Sequence, residues 1–161
     1  MTVSHRNSIR RTAYAIVLCL LSAFLVGVTA SPAAAATPRC TAGKWIGVAF
    51  DSPPTRLFAP ADSRGLVLNC ILRRGDFNNW GVVALQNALI KCYRKAIARD
   101  GDYGSATETA VRQVQKAENE ANGRNLTVDG IAGPQTLAHM AWPIYHRDGN
   151  LDASYACRRF V

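Results

Sequence analysis

Two copies of one turn-forming stretch decide the fold: Asp100-Gly101-Asp102-Tyr103-Gly104-Ser105-Ala106-Thr107 and Asp129-Gly130-Ile131-Ala132-Gly133-Pro134-Gln135-Thr136. The Asp, both Gly and the Thr recur at an offset of 29 residues. An Asp-Gly pair favours a tight turn, because Gly readily adopts positive φ and Asp hydrogen-bonds the backbone two residues on. Ser105 or Thr107 is then a candidate helix cap, and Pro134 suits a first helical position. The repeat therefore predicts two turns that each open a helix.

Three helices are predicted around these turns. The first runs from Trp80 to about Tyr93, with Asn78 or Asn79 as its cap and an apolar residue every third or fourth position. The second runs from about Ala106 to Ala121. Its expected buried stripe is Ala110, Val111, Val114 and Ala117, and its glutamates (Glu108, Glu118, Glu120) are expected on the wet side. The third runs from Pro134 to Trp142 and ends at Pro143, because proline cannot continue a helix.

The first 36 residues have the pattern of a secretory signal peptide. Basic residues precede an almost wholly apolar run from Ala13 to Ala30, and a small-residue cleavage site follows at Ala33–Ala36. We expect cleavage after Ala36 and a secreted protein, extracellular or associated with the cell wall, with no stable membrane insertion afterwards. The alternative is a retained membrane anchor, since the apolar run approaches spanning length.

The remainder of the chain is mildly basic. Three of the 19 Lys and Arg residues fall in the leader, which leaves 16 against 11 acidic residues and a formal charge of +5. A charge of that size suits weak attraction to an anionic polymer, although solubility alone also explains it. Because no run of like charges occurs, nucleic acid is not an expected partner.

Four cysteines remain after the leader: Cys40, Cys70, Cys92 and Cys157. An even count in a small exported chain indicates two disulfides, and the close pairs typical of a metal site are missing. Three connectivities are possible, and we favour Cys40–Cys70 with Cys92–Cys157. The predicted helix between Cys70 and Cys92 would hold its ends roughly 18 Å apart, too far for a direct bridge unless the chain folds back.

The expected fold class is all-α: a small three-helix bundle with two repeated Asp-Gly turn loops and an irregular, disulfide-tethered N-terminal extension. The extension covers 37–76, where prolines interrupt the chain and two apolar runs, Trp45 to Phe50 and Leu66 to Leu72, are read as strands or extended arms. The bundle covers 77–143, and 144–161 is read as a C-terminal tail.

The segment from about Gly75 to Trp142 resembles the small three-helix peptidoglycan-binding domain of bacterial cell-wall enzymes. The similarity is carried by Val82-x-x-Leu85-Gln86-x-x-Leu89, the two Asp-Gly turns, and Ala110-Val111-x-x-Val114-Gln115. The cysteines and the extension are similar to those of short secreted stand-alone members that carry no catalytic domain. The resemblance implies a three-helix domain that binds peptidoglycan, through its glycan or its stem peptide, without a cofactor.

Candidate ligand-binding residues lie on or near the turns. Three aromatic side chains offer flat apolar faces for sugar rings or a stem peptide: Tyr103, Trp142 and Tyr145. Arg112 and Gln115 are candidates for carboxylates and amides of a stem peptide. Turn geometry alone also explains the repeated motif itself, which consists of Asp100, Gly101, Gly104, Thr107, Asp129, Gly130, Gly133 and Thr136.

No catalytic or metal-binding pattern is visible in the sequence. His139 and His146 are seven residues apart and do not share a helix face, and no nucleophile motif occurs. We therefore expect a non-enzymatic protein with no metal and no cofactor. The alternatives are a cell-wall hydrolase or peptidase with an unrecognised active site, and an extracellular scaffold or inhibitor that binds a protein.

Overall fold

A computed structural model of the chain describes residues 36–48, 54–146 and 157–160. The predicted signal peptide, apart from Ala36, lies outside these residues. The described part contains four strands, β1 (Ala42–Val48), β2 (Thr55–Ala61), β3 (Trp142–His146) and β4 (Cys157–Arg158). They form one antiparallel sheet in the order β1-β2-β3-β4. The expected all-α fold is therefore wrong, because the helices share the molecule with this sheet.

The extension predicted to be irregular contributes the two longest strands. β1 and β2 pair over seven residues each, from Ala42 opposite Ala61 to Val48 opposite Thr55. In β2 the buried side chains alternate with half-buried ones as far as Ala59, which is the two-residue period of a strand with one face on a core. Pro60 obscured this pattern in the sequence, although a proline is tolerated near the end of a strand. The second apolar run, Leu66 to Leu72, forms isolated bridges outside the named strands.

Three helices occupy the rest of the described chain: α1 (Trp80–Tyr93), α2 (Ser105–Asn122) and α3 (Pro134–His139). Asn79 caps α1, since its side-chain oxygen accepts a hydrogen bond of 2.7 Å from the Gly81 amide. α2 starts after Gly104, and neither Ser105 nor Thr107 caps it. Its other end is Gly123, whose φ of +60° is the left-handed conformation that closes many helices.

The third helix is shorter than predicted and does not reach Trp142. Pro134 opens it as expected, but Met140 already has extended backbone and Trp142 begins β3. A residue before proline is pushed out of helical conformation, and here Pro143 follows Trp142 directly. The predicted tail 144–161 is likewise wrong in part, because Ile144, Tyr145 and His146 pair with β2.

The core lies where the helices meet the sheet. Its fully buried side chains include residues of α1 and α2 together with Leu72, Tyr103 and Trp142. On α2 the expected stripe is buried at Ala110, Val111 and Val114, and only its last position differs. Ala117 is exposed, whereas Glu118 is buried with only 1% of its surface accessible.

Two disulfides cross-link the chain, one within the segment before α1 and one between α1 and β4. Cys40 bonds to Cys70 with their Cα atoms 5.0 Å apart, and Cys92 bonds to Cys157 with a Cα separation of 5.8 Å. These are the two pairs favoured from the sequence. The second one joins the last turn of α1 to β4.

Candidate functional site: the repeated turns and an aromatic groove

A buried glutamine on α1 holds the first Asp-Gly turn. Gln86 donates from Nε2 to the Asp100 carboxylate at 2.8 Å and to the Asp102 carbonyl at 3.0 Å. Its Oε1 accepts from the Gly101 amide at 2.9 Å. Gly101 has a φ of +81°, which glycine adopts readily because it has no Cβ, so the turn needs glycine at this position. Hydrogen bonds from the Asp102 amide and from Gln86 lower the pKa of the Asp100 carboxyl.

A second glutamine on α2 holds the second turn in the same way. Gln115 donates to the Asp129 carboxylate and to the Ile131 carbonyl, both at 3.0 Å, and accepts from the Gly130 amide at 2.9 Å. The Gln115 Nε2 also donates to the Thr136 hydroxyl at 3.2 Å, as the Gln86 Nε2 does to the Thr107 hydroxyl in the first turn. The polar groups of the motif residues therefore form hydrogen bonds with each other and with the two glutamines.

Three of the five predicted ligand-binding side chains are buried. Tyr103 donates to the Gly130 carbonyl at 2.7 Å and so links the two turns, and burial raises the pKa of its hydroxyl. Trp142 donates from its indole nitrogen to the Leu137 carbonyl at 3.0 Å. Tyr103, Gln115 and Trp142 are thus integral to the core and do not present a surface to a polymer.

The other two predicted residues are accessible but lie in different places. Arg112 is exposed on α2, where it pairs with Glu108 at 3.0 Å and donates to the Val128 carbonyl at 3.1 Å. Tyr145 is half-buried on β3 and lines a cavity between the sheet and α1. The structure therefore does not bring the predicted residues together into one site.

The cavity beside Tyr145 is lined mainly by aromatic side chains and has a volume of about 460 Å³. We call it the aromatic groove. The strands contribute Gly43, Trp45, Phe58 and Tyr145, the helix α1 contributes Trp80, Val83 and Asn87, and the loop after α1 contributes Arg99. Its volume lies within the range of small-molecule sites.

The sheet register explains why these rings meet. Trp45 is opposite Phe58, and Arg56 is opposite Tyr145, so the four side chains share one face of the sheet. The Trp45 ring centroid lies 5.1 Å from that of Phe58 and 5.3 Å from that of Tyr145, the latter edge-on. The Arg56 guanidinium lies 4.3 Å from the Trp45 ring centroid, a cation–π distance.

The helix closes the other side of the groove. Trp80, Val83 and Asn87 are spaced so that they fall on one face of α1, and Asn87 donates to the Tyr145 hydroxyl. Trp80 remains 67% exposed and Trp45 45% exposed, values unusual for the largest apolar side chain. The groove thus presents two accessible indole surfaces.

The groove continues towards the first turn. A second cavity of about 300 Å³ shares Trp80, Val83 and Arg99 with it and reaches Asp100 and Gly101. Residues that line the aromatic groove itself include Arg99 but no Asp or Glu. Of these residues, Tyr145 was among the five ligand contacts predicted from the sequence. Two features of the sequence could have indicated the rest of the groove. Arg56 and Phe58 are two residues apart, the spacing that places side chains on one face of a strand, and Trp80 is the first residue of a helix.

Residues 79–140 match the family described as a putative peptidoglycan binding domain. The resemblance predicted from the sequence is confirmed for that segment. The matched segment contains all three helices and both Asp-Gly turns, whereas the four strands lie outside it. No curated protein and no solved structure that was compared with the chain gives a significant match.

One acidic side chain of this domain lies in an environment that the sequence did not predict. Glu118 was expected on the wet side of α2 and is instead buried. Its carboxylate accepts from Tyr93 at 2.7 Å, from Asn122 at 2.8 Å and from Arg159 at 2.8 Å. Burial by itself would raise the pKa of Glu118, but the hydrogen bonds and the charge of Arg159 outweigh it and lower that pKa. The group is therefore an anchor for the C-terminal segment and a poor proton donor near neutral pH.

Within 36–48, 54–146 and 157–160, no cluster of three or more His, Cys, Asp or Glu residues is arranged to hold a metal ion. No helix in that part of the chain has both the length and the apolar character needed to cross a membrane.

Proposed function

We propose that this chain is a secreted, non-catalytic protein that binds bacterial cell-wall peptidoglycan. The observation that carries the proposal is the match of 79–140 to the peptidoglycan-binding domain, with both Asp-Gly turns and the glutamines that hold them in place. Residues 1–36 would be the signal peptide, 77–143 the binding domain, and 37–76 and 144–161 the segments that flank it.

The disulfides and the charge support this assignment. Two disulfides in a domain of this size are typical of an oxidising compartment outside the cytoplasm. The formal charge of +5 beyond the leader favours adsorption to an acidic polymer network. The aromatic groove provides an accessible surface on which a polymer can lie.

Co-sedimentation with purified sacculi tests the proposal. The oxidised protein, beginning at Thr37, should pellet with sacculi in a saturable manner, and it should remain in the supernatant with cellulose at equal mass. The same incubation should release neither reducing sugar nor new amino groups. Absence of saturable pelleting would contradict peptidoglycan binding, and release of either product would show a hydrolase instead.

The predicted leader has its own test. The intact mass of the protein recovered from culture medium should correspond to a chain that begins at Thr37 and contains no free thiol. A full-length species that begins at Met1 and remains in the membrane fraction would contradict the proposed cleavage.

A further inference from the structure

The geometry of the aromatic groove points to a more specific ligand, and this inference rests on the proposed function. We propose that the groove binds the glycan strand of peptidoglycan at sugars that carry a free carboxylate, as muramyl residues do once their stem peptide has been removed. The occupant is thus an acidic aminosugar chain and not the stem peptide.

The rings favour a sugar over a peptide stem. The Trp45 ring contacts those of Phe58 and Tyr145, and Trp80 stands exposed on the opposite wall. Aromatic rings give flat apolar faces, and those of Tyr and Trp have a polar edge that suits a partially wet site. A pyranose ring matches such a surface, because its C–H bonds form an apolar face and its hydroxyls project around the rim. A stem peptide consists largely of residues with small or charged side chains and would leave these rings uncovered.

The charges favour an acidic sugar over a neutral one. Arg99 lies in the groove and makes no ion pair with a carboxylate of the described residues. Arg56 adds a second positive charge where it stacks on Trp45, and none of the residues that line the groove is acidic. A guanidinium binds a carboxylate with two parallel hydrogen bonds, so Arg99 is placed to accept the acidic group of a sugar stacked on Trp80.

The hydrogen-bonding groups between the rings complete the surface. Asn87 is held by its hydrogen bond to the Tyr145 hydroxyl, and Asn79, Asp100 and Gly101 line the continuation of the groove towards the first turn. Polar groups at fixed positions around aromatic faces give orientation to a ligand that stacking alone would leave free to rotate. Together the two cavities form a channel suited to a chain of sugars.

The strands outside the family match supply half of the residues that line the aromatic groove. Gly43, Trp45 and Phe58 belong to β1 and β2, and Tyr145 belongs to β3, whereas the matched segment contributes one wall. The proposal therefore assigns a role in ligand binding to the N-terminal extension.

Three soluble probes separate the possible ligands. The first is peptide-free glycan strands, prepared by treating sacculi with an amidase that leaves the muramyl carboxylates free. The second is a chito-oligosaccharide, which has a β-1,4-linked aminosugar backbone without carboxylates. The third is the isolated stem peptide. Calorimetric titration should show the tightest binding to the peptide-free strands, weaker binding to the chito-oligosaccharide, and none to the stem peptide.

Matched variants locate the site. Trp80→Ala should weaken binding of the glycan strands about tenfold, as expected when a stacking surface is lost. Phe77→Ala is the control, because Phe77 is 64% exposed and lines neither the aromatic groove nor the cavity beside the first turn. Arg99→Gln should reduce the preference for the acidic strands over the chito-oligosaccharide about fivefold, the range of an exposed ion pair.

The outcomes distinguish this inference from the proposed function. If the protein pellets with sacculi but binds only the stem peptide, or if Trp80→Ala and Phe77→Ala weaken binding equally, the groove assignment is overturned while peptidoglycan binding stands. If Arg99→Gln leaves the preference unchanged, the carboxylate part of the proposal is wrong. If the unmodified protein does not pellet with sacculi at all, the proposed function itself is overturned.

Discussion

Gln86 and Gln115, 29 residues apart, are structural equivalents: each lies buried on one helix and binds the Asp-Gly turn that leads into the next helix. Each side chain contributes both its donor and its acceptor, so the amide is satisfied without water. The same residue type at the same offset therefore fixes the direction of two successive helices.

This equivalence predicts equal sensitivity of the two glutamines. Gln86→Ala and Gln115→Ala should each lower the free energy of unfolding by about 2–4 kcal/mol, because each leaves a buried Gly amide without a partner and removes one hydrogen bond from the turn carboxylate. Urea unfolding followed by circular dichroism measures the change.

Gln113 provides the matched control for these substitutions. Its side chain is exposed and accepts only from Lys95, so Gln113→Ala should change the free energy of unfolding by about 0.5 kcal/mol or less. A loss from Gln113→Ala as large as that from Gln115→Ala would contradict the role given to the buried pair.

The glycines of the motif should divide into two classes. Gly130 has a φ of +75°, and a Cβ there would lie 2.8 Å from Glu108 Cγ, so Gly130→Ala should destabilise the fold by about 1–3 kcal/mol. Gly133 has an extended φ of −88°, and a Cβ there meets nothing within 4 Å. The melting temperature of Gly133→Ala should therefore be nearly that of the unmodified protein. Equal losses of stability in Gly130→Ala and Gly133→Ala would argue against the turn geometry.

The buried Glu118 predicts an acid-sensitive contribution to stability. Its pKa is lowered in the folded chain from its ordinary value of 4.5, so its stabilising effect is present above that pH. The effect is lost as the pH falls from there through the folded-state pKa. Glu118→Gln should cost about 1–3 kcal/mol at pH 7, and the difference from the unmodified protein should shrink in acid.

The neighbouring Glu120 serves as the control for that titration. Glu120 is exposed and pairs only at 3.8 Å with Lys116, so Glu120→Gln should have little effect at either pH. Urea unfolding at pH 7 and at pH 3 separates the variants. A Glu118→Gln deficit that stays constant between these two pH values would contradict the proposed ion pair with Arg159.

Gly43 offers a test of the groove that does not remove an aromatic ring. A Cβ at Gly43 would overlap the Phe58 ring, so Gly43→Ala should displace that ring. We expect weaker binding of glycan strands by about fivefold together with a small loss of stability. Gly47→Ala is the control, because Gly47 lies in the same strand and a Cβ there meets nothing within 4 Å. Similar binding of glycan strands by the unmodified protein, Gly43→Ala and Gly47→Ala would show that Phe58 does not shape the ligand surface.

The helical part of the fold was predictable because its signals are local. The first helix has the bounds expected from its cap and its apolar spacing, and the second differs by one residue at each end. The part of the sheet that involves β3 was missed because β2 pairs with a segment 87 to 91 residues further along the chain (Leu57 with Ile144, Thr55 with His146), and no local pattern reveals which distant segment supplies a partner. Trp142 looked like the end of a helix for the same reason.

The candidate site was less predictable than the fold. Aromatic residues next to the turns, such as Tyr103, looked available for a ligand, but the chain uses Tyr103 to join one turn to the other. Glu118 looked like a surface residue because its partner, Arg159, is 41 residues further along the chain. The groove could not be predicted because its residues meet only through the register of three strands, and that register is a property of the folded sheet.

The helix α1 is attached at both of its ends to cystines. At its start, Asn79 donates to the carbonyl of Cys40, and in its last turn Cys92 is itself bonded to Cys157. Trp80, Val83 and Asn87 lie on this helix between the two attachments. A polymer under tension that pulls on these side chains would transmit its force into covalently cross-linked backbone, so mechanical resistance would be greatest at the wall of the molecule that is proposed to bind the ligand.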